Sequence, residues 1–298
     1  MRAPVSSASR QCLVIHNPTS GWRKRRYFHQ VLGALRALGC GVVVQATRKP
    51  GDARRLAAAA RDCDVLVAAG GDGTINEVLG GLTGKDIPLA VIPLGTANVL
   101  AWELGMVRGP EAVARAIARG PVVEGWLGCV NGKPFSLMLG AGFDAFVVAR
   151  VDLRVKRWLR QGAFALAGCI AAASFGRRHY RVEIDGAAYD AASVVVAKGR
   201  RYGGRFVLAP SARISDPSFQ VCLFERSGPW AMLCYGFGFL TGRLERQNGV
   251  RIVPGRQIRI EAAAREPVQA DGELVAQLPV DITLDPQPVR YVVAQDGV

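Results

Sequence analysis

Hydrophobic and polar positions divide the chain into two textures. From Cys12 to Pro93, short apolar runs alternate with segments of helical spacing. Cys12–Asn17, Gly41–Thr47, Asp64–Ala69 and Leu89–Pro93 read as strands. Lys24–Leu38 (closed by Gly39), the alanine-rich Asp52–Arg61 and Thr74–Leu82 read as the helices between them. Strands that are apolar on both faces and separated by helices predict a parallel sheet covered on both sides.

After Val122 the pattern shortens. Phe135–Leu139, Tyr180–Asp185, Ser193–Ala197, Phe206–Ala209, Phe219–Glu225, Arg256–Glu261, Pro267–Ala270 and Val280–Leu284 are brief strands bounded by turn residues. That spacing predicts a mostly antiparallel sandwich or barrel. Two helical segments interrupt it, Phe143–Phe175, broken at Gly162, and Trp230–Thr241. Two domains are expected: a parallel α/β domain over residues 10–125 and an antiparallel β-sandwich over 126–298. The last residues are free to return to the first domain.

Composition narrows the class. The chain has 298 residues, 50% hydrophobic and 21% charged, which is enough apolar surface for a buried core and excludes a disordered chain. Net charge is +14, gathered in Arg23–Arg26, in a looser set from Arg150 to Arg178, and in Lys198, Arg200, Arg201 and Arg205. Such a balance suits anionic partners, either nucleotides or an anionic membrane face. No basic-aromatic RNA motif or zinc module occurs, so nucleic acid is not expected. Seven cysteines without a Cys-x-x-Cys pair read as buried free thiols in a reducing compartment. The N-terminal Met1–Gln11 lacks a signal core, and Gly162–Phe175 is shorter than the roughly 20 helical residues that span a bilayer. A cytoplasmic protein, peripheral at the inner membrane face, is expected.

The chemistry concentrates in turns. Val65–Ala69 runs into Gly70-Gly71-Asp72-Gly73-Thr74, then into helix at Ile75-Asn76-Glu77. Glycines let the backbone approach an anion, and the amides of the turn and helix start then point at phosphate oxygens. Thr74 can cap the helix or bond a phosphate. Asp72 supplies a carboxylate for Mg2+ or for a proton. Asn17-Pro18-Thr19-Ser20-Gly21 follows the first strand and Pro93–Asn98, with Thr96, follows the fourth. Ligands of open α/β sheets bind beyond the carboxyl ends of the strands, so these three turns suit one shared site. Gly140-Ala-Gly142-Phe-Asp-Ala145 fits a dinucleotide fingerprint but lacks the following acidic strand, and reads as close backbone packing. Asp271-Gly272 alone reads as a hairpin turn.

Together these motifs resemble the diacylglycerol-kinase catalytic superfamily, in particular the bacterial soluble lipid kinases, over about residues 12–290. Besides the three turns, Thr47 with Pro50–Ala53, Gly140–Ala145, Tyr202–Gly204, Ala209-Pro210 and Asp271-Gly272-Glu273 match. The resemblance implies an ATP-binding α/β kinase domain and a lipid-binding β-sandwich. It implies ATP contacts at Asn17, Pro18, Thr19, Ser20, Gly21, Thr47, Gly70, Gly71, Asp72, Gly73, Thr74, Ile75, Asn76 and Thr96. It implies catalytic carboxylates among Glu273, Asp72 and Asp271, with Asp72 and Glu273 competing for the base. It further implies a Mg2+ bound by Asp216 and the carbonyls of Arg213 and Ser218, a lipid alcohol as substrate, and a homodimer as a plausible assembly. Pro217, Val99 and Lys198 depart from the family's usual residues. A sphingosine- or ceramide-type kinase, an NAD kinase, and a catalytically weak nucleotide- and lipid-binding protein are the alternative readings. Trp230–Leu240 and Trp158–Phe175, with basic flanks, are expected to pack in the core, with an interfacial role as the alternative.

Overall fold

A computed structural model describes residues 10–21, 24–150 and 178–294. The expected helix beyond Arg150, and the apolar segment Trp158–Phe175, lie outside them. The chain divides into two compact units, one formed by residues up to Glu124 together with the chain from Val289 on, the other by Gly125–Pro288.

The first unit is built on a sheet ordered β2-β1-β3-β4-β20-β5. Its strands are β1 (Gln11–His16), β2 (Gly41–Ala46), β3 (Val65–Gly70), β4 (Leu89–Pro93), β5 (Val122–Gly125) and β20 (Val289–Val292). β1 pairs in parallel with β2 and β3, and β4 with β3 and β20. Every residue of β3 and β4 is buried, as a strand with helices on both faces requires. The helices are α1 (Arg25–Ala37), α2 (Asp52–Ala59), α3 (Asp72–Leu82), α4 (Val99–Glu103) and α5 (Pro110–Arg119). In α1, Phe28, Val31, Leu32 and Leu35 are buried, the spacing of one helical face.

The second unit carries two six-stranded sheets. One is ordered β10-β9-β16-β19-β6-β7, the other β15-β14-β11-β8-β17-β18. In chain order these are β6 (Gly128–Val130), β7 (Lys133–Phe135), β8 (Met138–Ala141), β9 (Tyr180–Ile184), β10 (Ala187–Ala191) and β11 (Ser193–Ala197). After the short pair β12 (Arg201–Tyr202) and β13 (Phe206–Val207) come β14 (Phe219–Phe224), β15 (Val250–Gly255), β16 (Ile258–Glu261), β17 (Pro267–Ala270), β18 (Glu273–Gln277) and β19 (Val280–Leu284). Tyr180, Val182 and Ile184 of β9 alternate inward and meet Val194 and Val196 of β11 and Phe219, Val221 and Leu223 of β14 in one apolar core. The expected α/β unit followed by an antiparallel sandwich is what is found.

One predicted strand breaks in two. Phe135–Leu139 appears as the end of β7 and the start of β8, with Ser136 and Leu137 between them. The amides of Ser136, Leu137 and Met138 all point at the Asp271 carboxylate, which draws this stretch out of a regular ladder. Among the described residues, helices α6 (Phe143–Arg150) and α7 (Pro229–Leu240) accompany these sheets.

Candidate functional site

The three predicted turns interlock at the carboxyl ends of β1, β3 and β4. The strand order reverses between β1 and β3, which opens a crevice beside them. Leu94 N and Gly95 N both donate to Gly70 O, at 2.9 and 3.2 Å. A Cβ on Gly95 would lie 2.6 Å from the Gly71 Cα, so only glycine allows these turns to touch. Gly21 sits at φ +63, where a Cβ would meet Leu94 O at 2.0 Å, so the first turn is packed against the third. Lys24 fastens them, its Nζ donating to Pro93 O (3.1 Å) and Gly95 O (3.0 Å). Burial pulls the Lys24 ammonium below its usual pKa.

Side chains complete the lock. Asn17 Nδ2 donates to Thr74 Oγ1 at 3.1 Å, while Asn17 Oδ1 accepts from Thr19 N and Thr19 Oγ1. Thr74 therefore bonds the first turn from inside α3 and is not the helix cap; Gly71 occupies that position, with no side-chain cap. Because the helical ladder begins with Ile75 N to Gly71 O, the amides of the first turn have no partner within the helix. A helix start of this kind has the polarity to receive an anion. Within the predicted phosphate loop, Ile75 is 1% exposed and its amide is committed to the helix. Thr96, Pro18, Thr19 and Gly73 are exposed, and Ser20, Gly71 and Asn76 partly so. Thr47 stands at the end of β2, its amide on His16 O.

Asp72 has a structural duty that its sequence position did not reveal. Its Oδ2 accepts from Asn98 N (2.9 Å) and its Oδ1 from Val99 N (2.7 Å), so it caps α4. Burial raises its pKa, against the lowering effect of those amides. Beside it, Asn98 Oδ1 is buried without a hydrogen-bond partner among the described residues. An unpartnered buried acceptor suits a hydrated cation rather than an anion. Glu77 was not singled out from the sequence. It caps α2 by accepting from Gly51 N and Ala53 N.

In the second unit, Asp271 and Gly272 form the β17–β18 turn with φ +49 and +86, a two-residue turn of the I′ kind. The Asp271 carboxylate accepts from Ser136 N, Ser136 Oγ, Leu137 N and Met138 N, between 2.6 and 3.2 Å. These four bonds fill its acceptor positions and anchor the turn. Glu273, two residues on, is exposed. Gln269 Oε1 accepts from Gly272 N at 2.8 Å, and its amide donates to Asp144, which also accepts from Tyr202. This buried network explains the Gly140–Ala145 motif, since a Cβ on Gly140 would strike Asp144 Oδ2 at 2.1 Å.

The expected Mg2+ of Arg213, Asp216 and Ser218 does not fit. Lys198 Nζ donates to Arg213 O (2.9 Å) and Asp216 O (2.5 Å), the carbonyl of Arg213 being one expected metal ligand. Lys198 is 0% exposed, so it is no part of a basic surface.

Comparison with known proteins fits this geometry. The diacylglycerol kinase catalytic domain family matches residues 11–130, and the YegS C-terminal NAD kinase beta sandwich-like domain matches residues 138–293. A diacylglycerol kinase of Bacillus subtilis (strain 168) is 30% identical over 278 residues, covering 89% of this chain and 90% of that protein. The chain belongs to this family of lipid kinases. A Pseudomonas aeruginosa (strain UCBPP-PA14) protein named "Probable lipid kinase YegS-like" is 31% identical, with 93% and 92% covered. A solved chain from Bacillus anthracis str. Sterne superposes with a TM-score of 0.84 at 22% identity over 100% of both chains, a likeness of fold. No described helix is long and apolar enough to cross a membrane.

Proposed function

We propose that this lipid kinase transfers the γ-phosphoryl group of ATP to the free hydroxyl of a membrane lipid, with diacylglycerol as its leading substrate. The observation that carries the reading is the interlock of Asn17–Gly21, Gly70–Thr74 and Pro93–Asn98 around the uncapped start of α3. Its amides hold phosphates, and Asp72 keeps α4 and the third turn in place beside them. Magnesium arriving with the nucleotide would neutralise phosphate charge as the bond breaks. Positioning and charge neutralisation dominate such transfers, so the chain must supply little else than an acceptor for the lipid hydroxyl's proton. Glu273 takes that role in this reading. Its carboxylate is exposed, whereas both oxygens of Asp72 already hold α4.

The substrate reaches the enzyme at a membrane surface. Trp230, Leu233, Phe237 and Leu240 of α7 are exposed and spaced along one helical face. Exposed Arg226, Arg243 and Arg246 flank them, a chemistry suited to anionic lipid. The test is labelled-phosphate transfer from Mg-ATP to diacylglycerol, monoacylglycerol, sphingosine, ceramide and phosphatidylglycerol in mixed micelles. Diacylglycerol should be labelled fastest. Preferential labelling of sphingosine or ceramide would move the assignment to those kinases, and labelling of none would remove it.

A further inference from the structure

Lys198 directly follows β11 in the second unit, and its side chain is fully buried. A buried ammonium is costly unless its donors are satisfied and its charge compensated. Here Nζ reaches two main-chain carbonyls of the loop leading into β14, Arg213 O at 2.9 Å and Asp216 O at 2.5 Å. Arg213 O also accepts from Asp216 N at 3.2 Å, so both of its lone pairs are used. Burial pulls the Lys198 ammonium down to a pKa of about 8, and the charge of Asp216 opposes that fall. Converging carbonyls beside a carboxylate are the surroundings of a hard cation, and here the chain supplies the cation itself.

We propose that the Lys198 ammonium stands in place of a structural divalent cation in the Arg213–Ser218 loop. A metal at about 2.1–2.6 Å from the same carbonyls would overlap Nζ and repel its charge. The loop thus needs no ion from solution, and Pro217 is compatible with it because no left-handed residue is required there for metal coordination. The inference stands whatever lipid the enzyme phosphorylates. Its consequence is that divalent cations serve the nucleotide alone: removing them should stop transfer while leaving the fold untouched.

Thermal unfolding of the nucleotide-free protein in EDTA and in millimolar Mg2+ or Ca2+ tests this. The native chain should show the same Tm in all three, within about 1 °C. Lys198→Asn replaces the ammonium with a neutral oxygen donor. It should unfold about 5 °C or more lower in EDTA, and should recover at least half of that loss with Mg2+ or Ca2+. Lys198→Met, lacking the oxygen, should fall and recover less. If Lys198→Asn is unfolded in EDTA, return of its far-ultraviolet circular dichroism on adding the ion is read instead. Failure of either ion to restore Lys198→Asn would overturn the proposal. So would a rise in the native Tm with Mg2+ that Asp216→Asn abolishes.

Discussion

Two carboxylates that look interchangeable in a motif have different surroundings. Asp72 receives Asn98 N and Val99 N, while Glu273 projects from the end of a hairpin. Removing Asp72 leaves two amides and the α4 start unpaired, so Asp72→Ala should lower stability by about 1–3 kcal/mol as well as abolishing transfer. Glu273→Gln should cut turnover at least ~100-fold with no change in Tm. Thermal scans of both variants beside initial rates make the comparison. An unchanged Tm in Asp72→Ala removes the capping role, and full activity in Glu273→Gln removes the base. Much of this site was legible, because Gly-Gly-Asp-Gly-Thr and Asp-Gly carry backbone requirements that can be read locally. The partners of their side chains were not. Val99 lies 27 residues from Asp72, and Ser136 lies 135 from Asp271. Lys198 misled in the same way: a lysine near three arginines reads as surface until the carbonyls that receive it are located.

At the scale of elements, α7 shows where pattern loses its power. The segment is apolar on every side, so no polar face marks the outward direction, and core packing was the natural expectation. In the fold Met232 and Tyr235 are buried, with Tyr235 Oη donating to Gly249 O at 3.0 Å, while Trp230 is 78% and Phe237 67% exposed. Seating such side chains in a headgroup layer is worth about 1.5–3 kcal/mol each for full burial, and each nearby arginine about 1 kcal/mol on anionic lipid. The paired change Leu233→Glu with Phe237→Glu should weaken binding to phosphatidylglycerol-containing vesicles at least ~10-fold and leave Tm unchanged. Equal sedimentation of the variant and native protein would remove the membrane role. The strands missed in the sequence include β10, β15 and β18, whose residues are largely exposed or only half-buried and so lack a clean apolar alternation.

At the scale of the molecule, the first unit is made of two stretches far apart in sequence. β20 lies between β4 and β5, with Val289, Tyr291 and Val292 buried. Ending the chain at Pro288 would open a long apolar seam there. Limited proteolysis of that truncation should degrade residues 10–124 rapidly and spare 125–288; equal resistance of both units would contradict the dependence. The same insertion of one strand from the far end sets an order on synthesis. A ribosome releases chains from the N-terminus, and units generally fold as they emerge. Here the unit begun first must wait for β20, while the sandwich encoded between its two stretches emerges before that strand. The turns on β1, β3 and β4 therefore acquire their finished sheet only once β20 has been delivered. A chain that has not yet delivered β20 would hold a folded sandwich before it held a completed first unit.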